Sequence, residues 1–300
     1  MKKIIVIGGA TASGKTAMSI ALAKYYNTEI LSADSRQCFR EMKIGTAAPN
    51  EEELYSTTHH FVQSHSIHDD INAGMYERYA LELLSTLFLK LDTVIVVGGT
   101  GLYLKSLCDG IDEMPPINKE IERDTVTQYK LNGIEWLQAE ITKNDVEFYQ
   151  HGEMQNPHRM LRALIFAKTH NQSILNFRRR ETKYRNFEIA RYTINVPRDI
   201  LYQRINDRVD KMIEDGLVDE AIQLIDYQQN KNLNTVGYQE IFNFLNQTYS
   251  LEKAIELIKQ HTRNYAKRQM TWFKNQGDYK SINSIEEIIH EELGGKCYSQ

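Results

Sequence analysis

Cysteine is scarce in this 300-residue chain, and Cys38, Cys108 and Cys297 lie too far apart for all of them to pair. A disulfide scaffold is excluded, and a reducing cytoplasmic setting is expected. No apolar run approaches the ~20 residues that a membrane-spanning helix needs. The apolar stretch after Met1-Lys2-Lys3 is too short for a secretory signal and runs straight into a glycine-rich turn, so no leader and no membrane partner are expected. The net charge of −4 lacks the basic excess of many nucleic-acid binders. Any RNA function must then rest on local patches. Repeats and low-complexity tracts are absent as well. What the chain does have is 41% hydrophobic content, enough for one large core or one core with a smaller domain.

The most informative segment is Gly9-Ala10-Thr11-Ala12-Ser13-Gly14-Lys15-Thr16. It follows the apolar strand-like run Ile4–Ile7 and precedes a helical pattern over Ala17–Tyr26. Strand, glycine-rich turn and helix form the setting of a phosphate-cradling P-loop. Glycines let the backbone curl so that amide N–H groups converge on an anion, and the helix N-terminus adds partial positive charge. Lys15 supplies a full charge, and the Thr16 hydroxyl suits magnesium, the expected cofactor. A glycine-rich turn that merely packs strand against helix is the bland alternative. Every fixed position of the motif is filled, which favours a polyphosphate site.

Further strands are expected at Glu29–Ser32 and Thr93–Val97, with a helix over Tyr76–Lys90 between them. Alternating strands and helices imply a parallel sheet covered on both faces. Ligands gather at the carboxyl ends of such strands. Gly9–Thr16, Asp34–Gln37 and Gly98–Gly101 all fall there, so three separated segments should share one crevice. Pro115-Pro116 interrupts the pattern, and helical stretches follow at Lys119–Leu131, Gly133–Thr142 and Pro157–His170. Glu188–Val196 reads as a return to the sheet, and long helices are expected over Asp199–Gln228 and Leu251–Phe273. The expected fold is α/β: a P-loop-containing parallel sheet flanked by helices, with a helical insertion domain. Its parts are a discontinuous catalytic core (1–114 and 188–290), a helical insertion (115–187) and a C-terminal tail (291–300).

Charge shifts along the insertion. From Gln155 to Arg191 there are nine Lys/Arg against two acids, and Arg178, Arg179, Arg180, Lys183 and Arg185 interleave with Phe177, Tyr184 and Phe187. Cations and aromatic faces together suit RNA, although a charge run is often only a solvated face. Asp34 stands at the rim of the expected phosphate site. It could hold magnesium through water, act as a general base, or simply cap a turn. Arg204 and Arg208 share a helical face at i, i+4 and could clamp a diphosphate. Arg263, Lys267 and Lys274 fall on roughly one face of a later helix, which suits phosphate contacts. His59, His60, His65 and His68 have no cysteine partner at zinc-ligand spacing.

Seven segments occur in a characteristic order: Gly9–Thr16, Ser32-Ala-Asp-Ser-Arg-Gln37, Ile44-Gly-Thr-Ala-Ala-Pro49, His59-His60, Gly98-Gly-Thr-Gly-Leu-Tyr103, Val236-Gly-Tyr-Gln-Glu240 and Lys267-Arg-Gln-Met-Thr-Trp272. Together they resemble the bacterial tRNA dimethylallyltransferase family, the isopentenyltransferases that act on tRNA. The likeness runs from Ile4 to about Trp272. It implies transfer of a dimethylallyl group from dimethylallyl diphosphate to the exocyclic amine of the adenosine 3′-adjacent to the anticodon, in tRNAs reading codons that begin with U. The implied partners are the tRNA anticodon stem-loop and the diphosphate, and a monomer is expected. By resemblance Asp34 is the general base, Thr100 contacts the same adenosine, Thr11 donates to the departing oxygen, and Arg208, more than Arg204, binds diphosphate. The tRNA side would draw on Asp34, Ser35, Arg36, Gln37, Thr100, Arg123, His158, Arg159, Arg162, Gly237, Tyr238, Lys267, Arg268, Gln269 and Trp272. Three positions depart from the family pattern. Ala10 replaces a proline, Gln63 stands where an acid is common, and Glu122 occupies a position that is often basic. A small-molecule or nucleotide kinase shares the P-loop, the sheet and a helical lid, and is the competing enzyme class.

Overall fold

A computed structural model describes residues 2–178 and 181–293. The chain divides into two compact units, one of residues 1–108 with 184–300 and one of residues 109–183. The first is built on a six-stranded sheet of β1 (Lys3–Gly8), β2 (Ile30–Ser32), β3 (His59–His60), β4 (Thr93–Gly98), β5 (Glu188–Ile194) and β6 (Lys280–Ile282). The strand order is β3-β2-β4-β1-β5-β6, and every pairing is parallel. Around it in chain order run α1 (Lys15–Tyr25), α2 (Glu51–Ser56), α3 (Ala73–Leu87) and α4 (Gly101–Asp109).

Burial explains the centre of the sheet. Ile4, Ile5, Val6 and Ile7 of β1 and Val94, Ile95 and Val96 of β4 have no exposed surface. Both faces are covered, so these strands read as continuous apolar runs rather than alternating ones. Burying each such side chain contributes about 1.5–3 kcal/mol. On one face Ile5, Ile7 and Ile95 pack with Leu22 and Ala23 of α1, and Tyr192 and Ile282 of the neighbouring strands join them. Ile4 and Val6 turn to the opposite face.

The second unit is helical: α5 (Lys119–Asn144), α6 (Val146–His151) and α7 (Pro157–His170). α5 breaks at Gly133 (φ 76°), which matches the two segments expected there. Leu137, Ile141, Phe148, Met160, Ala163, Leu164 and Phe166 form its core, with Met114 and Ile117 packed against them. Asp145 caps α6 by accepting from Phe148 N at 2.8 Å and takes a second bond from Ser173 Oγ at 3.1 Å.

After β5 the first unit continues with α8 (Arg198–Glu214), α9 (Leu217–Gln223), α10 (Tyr238–Leu245), α11 (Leu251–Lys274) and α12 (Ile285–Glu292). The helix expected over Asp199–Gln228 is two, because Gly216 adopts φ 98° between them. The unit boundaries at 108 and 184 differ from the expected 114 and 188 for a packing reason. Met114 belongs to the helical core, whereas Arg185 donates to Leu107 O, Ser106 O and Glu77 Oε1 in the sheet unit. The tail expected from residue 291 begins inside α12, where Glu292 accepts from Lys3 Nζ at 2.6 Å and from Tyr192 OH at 2.5 Å. Cys297 lies outside the described residues, among which no helix is long and apolar enough to cross a membrane.

Candidate active site

The turn after β1 curls as the glycine pattern requires. Ala12 takes φ 61°, Gly14 takes φ 94° as the N-cap of α1, and Ser13 N donates to Ala10 O at 3.3 Å. Ala10 and Ala12 are buried against Leu201 and Ile205 of α8 and Ala266 of α11, so the loop rests on packed small side chains. A cleft of about 1340 Å³ opens on one side of the loop, lined by Thr11, Ala12, Gly14, Lys15 and Thr16. Gly9, Ala10 and Ser13 line a separate hollow of about 570 Å³ instead. Of the diphosphate-binding residues expected in this motif, five therefore face the cleft.

Lys15 Nζ donates to Ala10 O at 2.6 Å. Its ammonium is enclosed, and loss of water lowers its pKa to about 8. The Asp34 carboxylate works against this shift and the Arg208 cation works with it. Arg208 is also depressed by burial, and its Nη1 donates to Thr11 Oγ1 at 3.4 Å. Arg208 lines the cleft and Arg204 does not, being exposed and one turn away. Of the two, the cleft wall therefore takes Arg208, about 6 Å further along the helix than Arg204.

Opposite the P-loop, Asp34 follows β2. Its Oδ1 accepts from Arg36 N at 2.9 Å and Gln37 N at 3.2 Å, so the turn-capping role is real. The other oxygen has no protein hydrogen bond among the described residues, and the carboxylate lines the cleft. Thr100 is differently engaged than expected. Its hydroxyl accepts from Ser35 N at 3.0 Å and donates to Ser35 Oγ at 3.2 Å, which braces the Asp34–Ser35 turn from behind the cleft wall. Ser35, Arg36 and Gln37 line the cleft, with Arg36 Nη1 donating to Asn232 O at 3.2 Å.

α11 supplies the third wall. Tyr265, Arg268 and Gln269 reach the cleft at i, i+3 and i+4, and Arg268 lies over the Tyr265 ring at 5.6 Å. Tyr265 was not singled out in the sequence, although its helical spacing from Arg268 and Gln269 was the available signal. Burial first, then the nearby Asp34 charge, pushes its phenol up to about 12. Gln269 is buried and both ends of its amide are used: Oε1 accepts from Thr11 N at 2.8 Å, and Nε2 donates to Gly99 O at 2.9 Å. It ties two site loops together instead of presenting its amide to RNA.

Other expected RNA contacts are also redirected. Tyr238 is fully buried and donates to Glu220 Oε1 at 2.6 Å. Trp272 packs so closely on Gly101 that a Cβ added there would fall 2.4 Å from its ring. Of the three cations expected on one face of α11, Lys267 and Lys274 both border the smaller hollow, while Arg263 donates to Asn206. Gly237, at φ 101°, does line the cleft. In the helical unit Arg123, His158, Arg159 and Arg162 are exposed, with Arg159 paired to Glu153. Arg179 and Arg180 lie outside the described residues.

A family model described as IPP transferase matches residues 37–276. The chain belongs to the IPP transferase family. A tRNA dimethylallyltransferase of Cytophaga hutchinsonii is 43% identical over 297 residues, covering 97% of this chain and 98% of that protein. The tRNA dimethylallyltransferase 1 of Bacteroides thetaiotaomicron is 38% identical over 287 residues, covering 96% and 93%. Among solved structures, the tRNA isopentenylpyrophosphate transferase of Bacillus halodurans superposes with TM-score 0.72 at 30% identity, covering 99% of this chain and 97% of that one. A eukaryotic dimethylallyltransferase acting on tRNA shares the fold, with TM-score 0.74 at 24% identity, covering 99% and 77%.

This IPP transferase chain offers magnesium a fitting donor set. The Thr16 hydroxyl and the Asp34 carboxylate line one cleft, and both are hard oxygens of the type that ion takes. Among the described residues no group of three or more His, Cys, Asp or Glu is placed to hold a metal ion.

The Lys15 shift carries a pH prediction. Below pH 8 the ammonium is charged in the free protein, and above it the charge is lost. A bound diphosphate favours the charged form, so affinity for it should fall as pH rises through about 8. Affinity for inorganic pyrophosphate, measured between about pH 6.5 and 9.5, should decline up to ~10-fold per unit on the alkaline side. A profile flat across that range would remove Lys15 as the titrating group.

Proposed function

We propose that this chain transfers the dimethylallyl group of dimethylallyl diphosphate to the exocyclic amine of the adenosine 3′-adjacent to the anticodon, in tRNAs reading codons that begin with U. Family membership supports the reading. The observation that carries it is a single cleft in which the P-loop, Lys15 and Arg208 face the Asp34 carboxylate. One wall suits a diphosphate leaving group and the other suits a nucleophile that must lose a proton. In this reading the enzyme works as a cytoplasmic monomer.

The chemistry is a substitution at the allylic carbon. The carbon–oxygen bond to diphosphate breaks, the oxygen keeps the electron pair, and a nitrogen–carbon bond forms at the adenine amine. The P-loop amides, Lys15 and Arg208 are fixed before reaction, so they stabilise charge as it develops without reorganising. The Thr11 hydroxyl accepts from Arg208, which leaves its own proton to donate to the departing oxygen. Magnesium, held by Thr16 and through water by Asp34, would add positive charge to the leaving group. The amine's proton passes to the Asp34 oxygen that its turn does not use. Adenine amines are weak nucleophiles, and a positioned base contributes typically ~10²–10⁴-fold. The adenosine must leave its stack to reach this depth.

Incubation of the protein with unmodified tRNA and labelled dimethylallyl diphosphate tests the assignment. Label should appear in the RNA at the adenosine next to the anticodon. Phosphoryl transfer from ATP, with no label in RNA, would replace it with the kinase assignment.

A further inference from the structure

Glu220, in α9, belongs to none of the motif segments above, yet its carboxylate is saturated by backbone of the cleft wall and by Tyr238. Oε2 accepts from Lys43 N and Ile44 N, each at 2.9 Å. Oε1 accepts from Gly45 N at 2.9 Å and from Tyr238 OH at 2.6 Å. Three successive backbone amides converging on one carboxylate make a nest of the kind that binds anions, here filled by the protein's own side chain. Bonds to an ionised acceptor are about twice as strong as neutral ones. The Tyr238 ring lies flush beneath the same backbone. A Cβ added at Gly45 would come within 2.5 Å of it, so only glycine admits this approach.

The clasped loop leads directly to the acceptor side of the cleft. Ala47 N and Ala48 N close back on Ile44 O and Lys43 O at 2.9 and 3.0 Å, which makes residues 43–48 one compact turn. The carbonyls of Thr46 and Ala47 accept from the Gln37 side-chain amide at 3.2 and 2.9 Å. Gln37 N in turn donates to Asp34 Oδ1. A continuous series of hydrogen bonds therefore runs from Glu220 through the loop and Gln37 to the carboxylate that faces the P-loop. All of these groups belong to the same compact unit.

We propose that Glu220 is a positioning residue for the acceptor side of the active site: it holds the 43–45 backbone so that Gln37 and the Asp34 turn keep the geometry the incoming nucleobase requires. Glu220 touches neither diphosphate nor base in this role. The P-loop rests on α8 and α11, and its residues make no hydrogen bond to Glu220. Loss of the clasp should therefore act on the acceptor and spare the leaving-group site. The proposal rests on the tRNA prenyl-transfer reading, and misplacement of a reacting group by 1 Å can cost ~10²-fold.

The test uses the full-length protein and the variants E220A, E220Q and Y238F. Amide exchange at residues 43–45, binding of inorganic pyrophosphate with magnesium, and label transfer to tRNA are measured on each. In E220A, exchange at Lys43, Ile44 and Gly45 should accelerate, kcat should fall by ~10-fold or more and KM for tRNA should rise. Pyrophosphate affinity should stay at the wild-type value. E220Q keeps one acceptor oxygen and Y238F removes one bond, so both should lie between and keep the test informative if E220A fails to fold. Three results would overturn the role: unchanged exchange, faster exchange with wild-type kcat and tRNA KM, or an equal loss of pyrophosphate binding, which marks a general structural defect. If the wild-type protein transfers no label, the activity reading fails by itself, while the exchange measurement still decides whether Glu220 holds the loop.

Discussion

Asp34→Asn is expected to lower kcat for prenyl transfer by ~10²–10⁴-fold while leaving tRNA affinity close to wild type. The substitution is chosen because Asp34 has two roles that can be separated. Its Oδ1 accepts from Arg36 N and Gln37 N, and an asparagine carbonyl can accept the same two bonds. The turn should therefore stand. What disappears is the negative charge and the oxygen able to take a proton from the adenine amine. Asp34→Ala goes further and also removes the turn's acceptor, which typically costs ~1 kcal/mol in a capping position. Single-turnover label transfer with pre-bound tRNA separates chemistry from binding. A wild-type rate in Asp34→Asn would reduce Asp34 to a capping residue and leave the reaction without its base.

Lys15→Met is the second large effect, and it should raise an apparent contradiction. Transfer activity, as kcat/KM for dimethylallyl diphosphate, is expected to drop by ~10²–10³-fold, the scale seen when one preorganised charge-stabilising donor is lost. The melting temperature should meanwhile stay level or rise. Lys15 holds an enclosed ammonium whose pKa is depressed to about 8, chiefly by loss of water, so the fold bears a cost for keeping it charged. Methionine has nearly the same reach and no such cost. Differential scanning fluorimetry beside the kinetic assay reads both. A clear fall in melting temperature would mean that the Lys15 bond to Ala10 O matters more to the fold than to the substrate. Stability gained as activity is lost is the expected behaviour of a strained functional group.

The parts of this site that were legible before the structure share a physical character. β1 and β4 are short runs rich in β-branched apolar residues, and their length and composition favour a strand buried on both faces. The P-loop is a local motif, and its turn, helix cap and lysine are all set within eight residues of chain. The convergence of the turns after β1, β2 and β4 followed from parallel topology alone. What was not legible depends on distance or direction. β3 is only His59–His60 and β6 only Lys280–Ile282, edge strands too short to carry a period. Arg204 and Arg208 share a helical face, but translation along the axis, which spacing does not weigh, decides which one meets Thr11. Tyr238, Trp272 and Gln269 sit in motifs expected to face RNA. Each instead satisfies a neighbour: Glu220, Gly101, and the Thr11 and Gly99 backbone. Aromatic rings and amides serve both purposes equally well, so residue type could not separate them.

The bond between Thr11 N and Gln269 Oε1 joins positions 258 residues apart. During synthesis the phosphate loop emerges well before the Gln269 side chain that holds its backbone, which follows 258 residues later. The neighbouring strand β5 also follows β1 only after the whole helical unit, as Lys3 pairs with Glu188. A nascent chain can thus display the P-loop motif throughout the synthesis of those intervening residues without owning a finished catalytic centre, and truncation before α11 should yield protein that never becomes competent.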